Sequence, residues 1–306
     1  MDRLALEPEH ATTWDDVEQW FGSFPPGWCY RGQANATWNL ITSFDRYVWK
    51  TVEAAQGGTH ITSFGPMNGR RNESFMLHGF QRDAHEHLAL PVDSVVDWLA
   101  LMQHYGTPTR LLDWTRSPHV ALHFALGNGQ PPQTDVAIWA IDLEWFVQRS
   151  MKLLQSHQPP IPHPSGLETD DSYVNRIIFA DDNPPIIVPA RPVRINDRMK
   201  VQEGLLLLNL SDDYHFYFSL LMMLLNSSVV ERQVVSKLII KKDKYPNFVE
   251  ELHKRDIDRS SLFPGPDELD VFSECLKKQL ERSLAEQIEA FGKSIVEQIE
   301  VRKRSS

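Results

Sequence analysis

The short segment at residues 103–118 limits the possible folds of this chain more than any other part of the sequence. It reads QHYGTPTRLLDWTRSP and joins two apolar segments, yet it carries Gly, Pro, His, Arg, Asp, Trp and Thr. Connections that serve only topology are usually small and polar. Such a cluster is typical of a functional site and equally of a buried Arg–Asp pair that locks the chain locally. The segment therefore predicts either a site or a structural lock, and the residues alone leave both open.

Local rules predict a helix–strand–helix elbow here. A helix over residues 95–105 ends at Gly106, which suits a left-handed C-terminal cap. Pro108 enforces an extended entry into a strand over residues 109–115. Ser117 then caps a second helix, with Pro118 in its first turn. The predicted strand presents three polar side chains, those of Arg110, Asp113 and Thr115.

Together with an upstream Tyr30-Arg31-Gly32-Gln33, this elbow resembles the FRG domain family, which is named for an aromatic-Arg-Gly motif. The family pattern continues with a Phe-Ala helix end, an Arg-x-x-x-Gln-x-Gly block and a Leu-Phe-Pro block. The chain has these as Phe124-Ala125, residues 198–204 and residues 262–264. The resemblance implies an FRG domain over residues 14–280, followed by a helical extension over residues 281–306.

The order of these blocks is also similar, more weakly, to that of the ADP-ribosyltransferase superfamily. That superfamily has an aromatic-[His/Arg]-Gly strand, then a Ser/Thr strand leading into a helix, then a late Glu or Gln. The resemblance implies catalytic roles for Arg31, Thr115 (or Ser117), Gln202 and Glu203. It also implies cofactor contacts from Tyr30, Gly32, His104, Thr109, Arg110, Asp113 and Phe124. The chain departs from the expected pattern at two positions. In the FRG family the residue after Gln202 is variable, so Glu203 is incidental in one interpretation. Leu206 stands where an aromatic residue is expected.

The chemistry fits NAD as a substrate. Cleavage of its N-glycosidic bond develops positive charge on the ribose, which a late Glu stabilises. An arginine on a strand clamps phosphate or ribose oxygens, and a neighbouring glycine lets a ligand approach the backbone. On a strand, alternation would let only one of Gln202 and Glu203 face such a site.

The function implied is therefore an NAD-using ADP-ribosyltransferase or NAD glycohydrolase that acts as a bacterial toxin or defence effector. Its partners would be a nucleotide and a macromolecular acceptor that the residues do not identify. The alternative is a non-enzymatic domain that recognises a nucleotide and signals through the C-terminal helix. A purely structural interpretation, separate from both functions, pairs Arg31 with Asp113 in the core and makes Gln202 a structural amide at a strand end.

Composition excludes other classes of protein. A net charge of −10 over 306 residues disfavours non-specific phosphate binding. Two distant cysteines and the absence of a signal-peptide pattern predict a cytoplasmic protein. The most apolar run, residues 216–225, is too short to span a bilayer, so no membrane association is expected. His119 and His123 share a helix face but lack a third metal ligand, and no P-loop, dinucleotide-binding or hydrolase motif occurs.

The predicted fold class is α+β, a single mixed domain with a split, ADP-ribosyltransferase-like sheet surrounded by helices. Strand patterns interleave irregularly with helical ones at residues 30–31, 135–142, 186–188, 205–210 and 234–240. Helices are predicted over residues 14–21 and 73–90, and loops over residues 56–72 and 155–173. From residue 268 onward, apolar residues recur every three or four positions, which predicts a long amphipathic helix with a weak point at Gly292. Through residues 281–301 this helix would fold back, form a homodimer or dock a partner.

Overall fold

The computed structural model describes residues 7–55, 69–84, 92, 94–127, 132–157, 177–178, 183–193, 197–211, 214–225 and 233–263, with separate positions between 286 and 301. Its centre is one seven-stranded sheet in the order β1-β7-β4-β2-β3-β6-β5. The strands are β1 Glu9–Ala11, β2 Trp28–Gln33, β3 Leu111–Thr115, β4 Val136–Asp142, β5 Ile187–Ala190, β6 Gly204–Asn209 and β7 Val235–Ile240. Only the β1–β7 pairing is parallel among these strands. The predicted α+β class is confirmed.

Helices surround this sheet. They are α1 Trp14–Gly22, α2 Ser43–Ala55, α3 Gly69–Ala84, α4 Val95–His104, α5 Pro118–Ala125, α6 Leu143–Ser156, α7 Asp197–Val201, α8 Phe216–Leu225, α9 Tyr245–His253 and α10 Arg259–Leu262. A short 3-10 turn, Lys242–Lys244, precedes α9. Among the residues described, no helix is both long and apolar enough to span a membrane.

Two buried clusters pack against opposite faces of the central strands. Along β2, Trp28 and Tyr30 belong to a smaller cluster with α1, α5 and α9, while Cys29 belongs to a larger one. The same alternation runs along β4, where Ile138 and Ala140 face the smaller cluster and Trp139 and Ile141 the larger. Strands β2 and β4 are therefore buried on both faces.

The elbow forms as predicted, with a shorter strand. Gly106 has a φ of +83°, and the Ser117 side chain accepts a hydrogen bond from the backbone N–H of Val120. The strand begins at Leu111 rather than at Thr109, because the backbone of Thr109 is bonded to the side chain of Ser43 at the start of α2.

The predicted loops are corrected where the structure describes them. Helix α3 begins at Gly69, so residues 69–72 are helical, and α6 continues through Ser156. Residues 56–68 and 158–176 lie outside the described residues, as do residues 85–90 of the predicted helix over 73–90.

The sheet opens between β2 and β3. Strand β2 is paired with β4 along six residues, but with β3 only at Tyr30 and Thr115. Strand β3 in turn pairs with β6 along its whole length. No further ladder pair joins the described residues of the two strands, and the Arg31 side chain crosses to the backbone of Asp113 in this region, which we call the gap.

The C-terminal extension is helical where it is described, between residues 286 and 301. The backbone of Gly292 is hydrogen-bonded to the hydroxyl of Tyr47 on α2. A Cβ at position 292 would lie 2.9 Å from that hydroxyl. The extension therefore folds back on α2 at Gly292, the position expected to be its weak point.

Candidate functional site

The three sequence blocks meet on three adjacent strands. Tyr30 of β2 pairs with Thr115 of β3, and Thr115 pairs with Gly204 of β6. Because neighbouring strands lie about 4.8 Å apart, this row spans roughly 10 Å. Arg31 follows Tyr30, and Glu203 precedes Gly204, so both ionisable groups flank the row.

Arg31 reaches into the gap between β2 and β3. Its guanidinium donates a hydrogen bond to the backbone carbonyl of Asp113, while its Nε has no hydrogen-bond partner among the described residues. Burial lowers the pKa of Arg31, the Asp113 carboxylate raises it and the neighbouring Arg46 lowers it. The hydrogen bond of Arg31 thus goes to the carbonyl of Asp113, which leaves the Asp113 carboxylate to another partner.

That partner is Gln103. The Gln103 amide donates to both carboxylate oxygens of Asp113 at 2.8 Å, and its own oxygen accepts from the Thr109 hydroxyl at 2.7 Å. The Asp113 side chain is exposed, whereas Thr109 is fully buried. A polar chain therefore runs from the core to a carboxylate at the surface, and sequence analysis missed its middle residue although Gln103 opens the motif.

The catalytic candidates of the last block lie in a turn, not on a strand. The Thr115 hydroxyl donates to the Gln202 carbonyl at 2.6 Å and accepts from the Ser117 N–H at 3.0 Å. Glu203 has a φ of +47° and is exposed, and the Arg116 N–H donates to its carbonyl at 3.0 Å. The expectation of strand alternation is therefore wrong, because the pair precedes β6.

Gln202 and Glu203 have different surroundings in this turn. The Gln202 amide donates to the Leu262 carbonyl at 3.0 Å. The Glu203 carboxylate has no hydrogen bond or ion pair among the described residues. Of the two, Glu203 is the one with an available acid group.

Two residues of the first motif have packing roles. Tyr30 is buried among the rings of Trp20, Phe21 and Phe24, and burial raises its pKa to about 12. Over Gly32, a Cβ would lie 2.0 Å from the Ala121 carbonyl oxygen, so the α5 backbone occupies the space expected for a ligand.

Arg110 is a core residue. Its Nε donates to Glu73 at 2.6 Å, and its other nitrogens donate to the carbonyls of Leu210 and Ile178. Arg110 and Glu73 are 1% and 0% exposed, so no part of this guanidinium faces a ligand. The expected Arg–Asp lock of the elbow is wrong in its partner, since Glu73 of α3 takes the place of Asp113.

Two further candidates lie at the ends of helices. His104 is the last residue of α4, with its ring across that of Tyr105. Phe124, near the end of α5, is half-buried and meets Phe263 edge to face at 6.3 Å between centroids. Among the described residues, the ring of Phe124 contacts those of His123 and Phe263, outside the gap between β2 and β3.

Sequence analysis also missed that the last two family blocks touch. Beside the Gln202–Leu262 hydrogen bond, the Arg198 guanidinium stacks on the Phe263 ring, 4.3 Å from its centroid. Arg198 and Phe263 belong to the two late family blocks, and this shared membership was the available sign that they lie together.

The described residues hold no group of three or more His, Cys, Asp or Glu side chains placed to bind a metal ion. Of the two histidines on one face of α5, His119 lies 3.0 Å from the Glu18 carboxylate. The pair His85 and His87 lies outside the described residues.

The chain thus forms an α+β domain whose motif residues lie around the single pair between β2 and β3. Residues 26–134 match the family model of the FRG domain, so this part of the chain is an FRG domain. The match covers Arg31 and the whole elbow, and it ends before Gln202. Neither a curated protein nor a solved structure matches the chain significantly.

Proposed function

We propose that this chain is an NAD-using enzyme of the ADP-ribosyltransferase type. The observation that carries the proposal is the row Tyr30, Thr115 and Gly204, which aligns the three blocks on adjacent strands beside the gap. The superfamily resemblance requires its three positions to share one site, and a row of roughly 10 Å meets that requirement.

The reaction follows from the charges beside the row. The bond from ribose C1′ to nicotinamide nitrogen breaks, and nicotinamide leaves with the electron pair. The exposed Glu203 carboxylate stabilises the cation left on the ribose until an acceptor nucleophile, or water, attacks C1′ and loses its proton. Arg31 and Asp113, at the gap, are the polar groups that would orient the ligand.

A second candidate is a binding domain without turnover. The observation that favours it is that the Thr115 hydroxyl and the Gln202 amide already have protein partners. Polar groups already bonded within the fold shape a site but have no free donor or acceptor with which to act on the reacting bond. The proposed cellular role, toxin or defence effector, belongs to the enzyme and not to this alternative.

The test is nicotinamide release and label transfer from NAD, with and without cell lysate, by the full chain. Glu203→Gln keeps the shape of the side chain and removes its charge, so we expect both signals to fall by about two orders of magnitude or more. The matched control is Asp256→Asn, because Asp256 is also an exposed acid with positive φ, 55°.

Arg31→Lys keeps the charge and loses the planar donor geometry, so we expect a clear loss of activity. Its control is Arg149→Lys, a buried arginine that likewise bonds a backbone carbonyl, that of Met223. Turnover that survives Glu203→Gln at the level of Asp256→Asn would contradict the role given to Glu203, and no turnover by the unaltered chain would contradict the enzyme. Nucleotide binding without nicotinamide release would select the binding domain.

A further inference from the structure

Two arginines converge on one aromatic ring beside the Glu203 turn. The guanidinium carbons of Arg198 and Arg259 lie 4.3 Å and 5.7 Å from the centroid of Phe263. We call Arg198, Arg259 and Phe263 the Phe263 corner. Arg259 is exposed, and Arg198 and Phe263 are half-buried, so the corner is open to a ligand.

The corner is attached to the turn that carries Glu203. The backbone N–H of Gln202 donates to the Arg198 carbonyl at 3.0 Å, and the Gln202 side chain donates to the Leu262 carbonyl, next to Phe263. Short bonds therefore link the corner to Thr115 and the row. The corner and the row are therefore joined through one residue, Gln202.

The charge of the corner is not neutralised within the described part of the chain. Neither Arg198 nor Arg259 forms an ion pair there, and the nearest acid in sequence, Asp258, accepts hydrogen bonds from Ser260 and Ser261. Asp197, which precedes Arg198, pairs with Lys200 at 2.8 Å. Two positive charges thus remain together in a chain whose net charge is −10.

A second arginine–aromatic stack, elsewhere in the fold, has acidic partners that the described residues do not provide at the Phe263 corner. Arg255 lies over Trp14, 4.5 Å from its ring centroid. Its charge, however, is balanced by Glu18 at 3.2 Å and Glu251 at 3.1 Å. Arg198 and Arg255 lie at similar distances from their rings, and of these two stacks the one at the Phe263 corner forms no ion pair among the described residues.

A guanidinium whose flat face rests on a ring keeps its N–H edge free, and that edge matches two oxygens of a phosphate. We infer that the Phe263 corner binds the phosphate groups of a phosphorylated ligand. The identity of that ligand as the pyrophosphate of NAD rests on the proposed function. Phosphate binding is the role expected of Arg31 from the sequence, but one nitrogen of its guanidinium is bonded to the Asp113 carbonyl, and the proposed function leaves Arg31 to orient the ligand at the gap.

Calorimetry on the full chain tests the inference with inorganic pyrophosphate, ADP-ribose, adenosine and a short single-stranded RNA. We expect pyrophosphate and ADP-ribose to bind and adenosine to bind far more weakly. Arg198→Gln and Arg259→Gln should each weaken ADP-ribose binding roughly tenfold, the effect of losing one charge-assisted contact. Arg255→Gln is the matched control and should bind as the unaltered protein does.

Equal binding by Arg198→Gln, Arg259→Gln and the unaltered protein overturns the inference, as does binding of RNA alone. Melting temperatures check that the variants fold. If Arg198→Gln does not fold, Arg259→Gln still tests the inference, because Arg259 is exposed. Nicotinamide release is measured separately. If nicotinamide is not released but ADP-ribose binding depends on the two arginines, the proposed function is refuted and the phosphate-binding inference stands. If nicotinamide is released but both arginine variants bind as the unaltered protein does, the phosphate-binding inference alone is refuted.

Discussion

Gly32, at the residue scale, shows how closely helix and strand approach in this fold. A Cβ there would lie 2.0 Å from the Ala121 oxygen and 2.5 Å from the Ala125 nitrogen. Both atoms are backbone, so α5 itself must move. We expect Gly32→Ala to lower the free energy of unfolding by about 3 kcal/mol, the upper range for overpacking.

Urea unfolding measures this change, with Gly22→Ala as the control, since a Cβ at Gly22 meets nothing within 4 Å. If the two variants were equally stable, the space over Gly32 would be available to a ligand after all.

Tyr30 predicts how stability responds to alkali. Its pKa rises from 10.0 to about 12 because burial disfavours the phenolate. Its contribution is complete below pH 10 and is lost as pH rises towards 12, because the unfolded chain ionises first. Tyr30→Phe should therefore flatten the fall in unfolding free energy above pH 10. A fall in Tyr30→Phe as steep as that of the unaltered protein would refute the assignment.

The sequence predicted where helix caps lie better than it predicted which side chains form long-range pairs. The capping roles of Gly106 and Ser117 follow from local rules and are confirmed. The partner of Arg110 was not predictable, because Glu73 lies on another helix, 37 residues earlier in the chain. Long-range pairs of this kind leave no periodic signal in one sequence.

The elbow and α3 are held together, at the element scale, by the Arg110–Glu73 pair. Glu73 also accepts the backbone N–H of Arg110 at 3.0 Å, so one carboxylate fixes both the side chain and the start of the strand. Removing one member of a buried pair leaves the other charge without compensation.

We expect Glu73→Gln to cost about 3–5 kcal/mol in urea unfolding. The double variant Glu73→Leu with Arg110→Met should cost less, because it removes both charges together. Glu144→Gln, at an exposed position on α6, is the control for a lost surface charge. A double variant less stable than the single one would show that the carbonyl contacts of Arg110 dominate instead.

Elements with a clear pattern were predictable and the others were not. The strands at β4, β6 and β7 were found within one or two residues because their apolar character is continuous or alternates. Strand β1 has three residues and lies before Trp14, where the predicted domain began, yet it is an edge of the same sheet. Its place depends on pairing with β7, which no local signal encodes.

At the scale of the whole molecule, the C-terminal extension packs against α2, the helix that also contacts the elbow. The start of α2 is bonded to Thr109 through Ser43, and its middle contacts Gly292 through Tyr47. One helix thus lies between the extension and the elbow. Sequence analysis left folding back, dimerisation and partner docking open because an apolar stripe does not name its partner.

We expect Gly292→Leu to separate the extension from α2, because the new side chain collides with the Tyr47 hydroxyl. Hydrogen exchange should rise along α2, with a change in oligomeric state if the released stripe pairs with a second copy. Ala290→Leu, at an exposed position, is the control. Unchanged exchange in Gly292→Leu would mean that the contact contributes nothing to the stability of α2.

A crystal structure of the full chain with bound ADP-ribose would show whether the row and the gap form the ligand site. The account predicts the ribose beside the row of Tyr30, Thr115 and Gly204, near the Glu203 carboxylate, at the gap between β2 and β3. Ligand density away from this gap, with Arg31 and Glu203 both untouched, would contradict it.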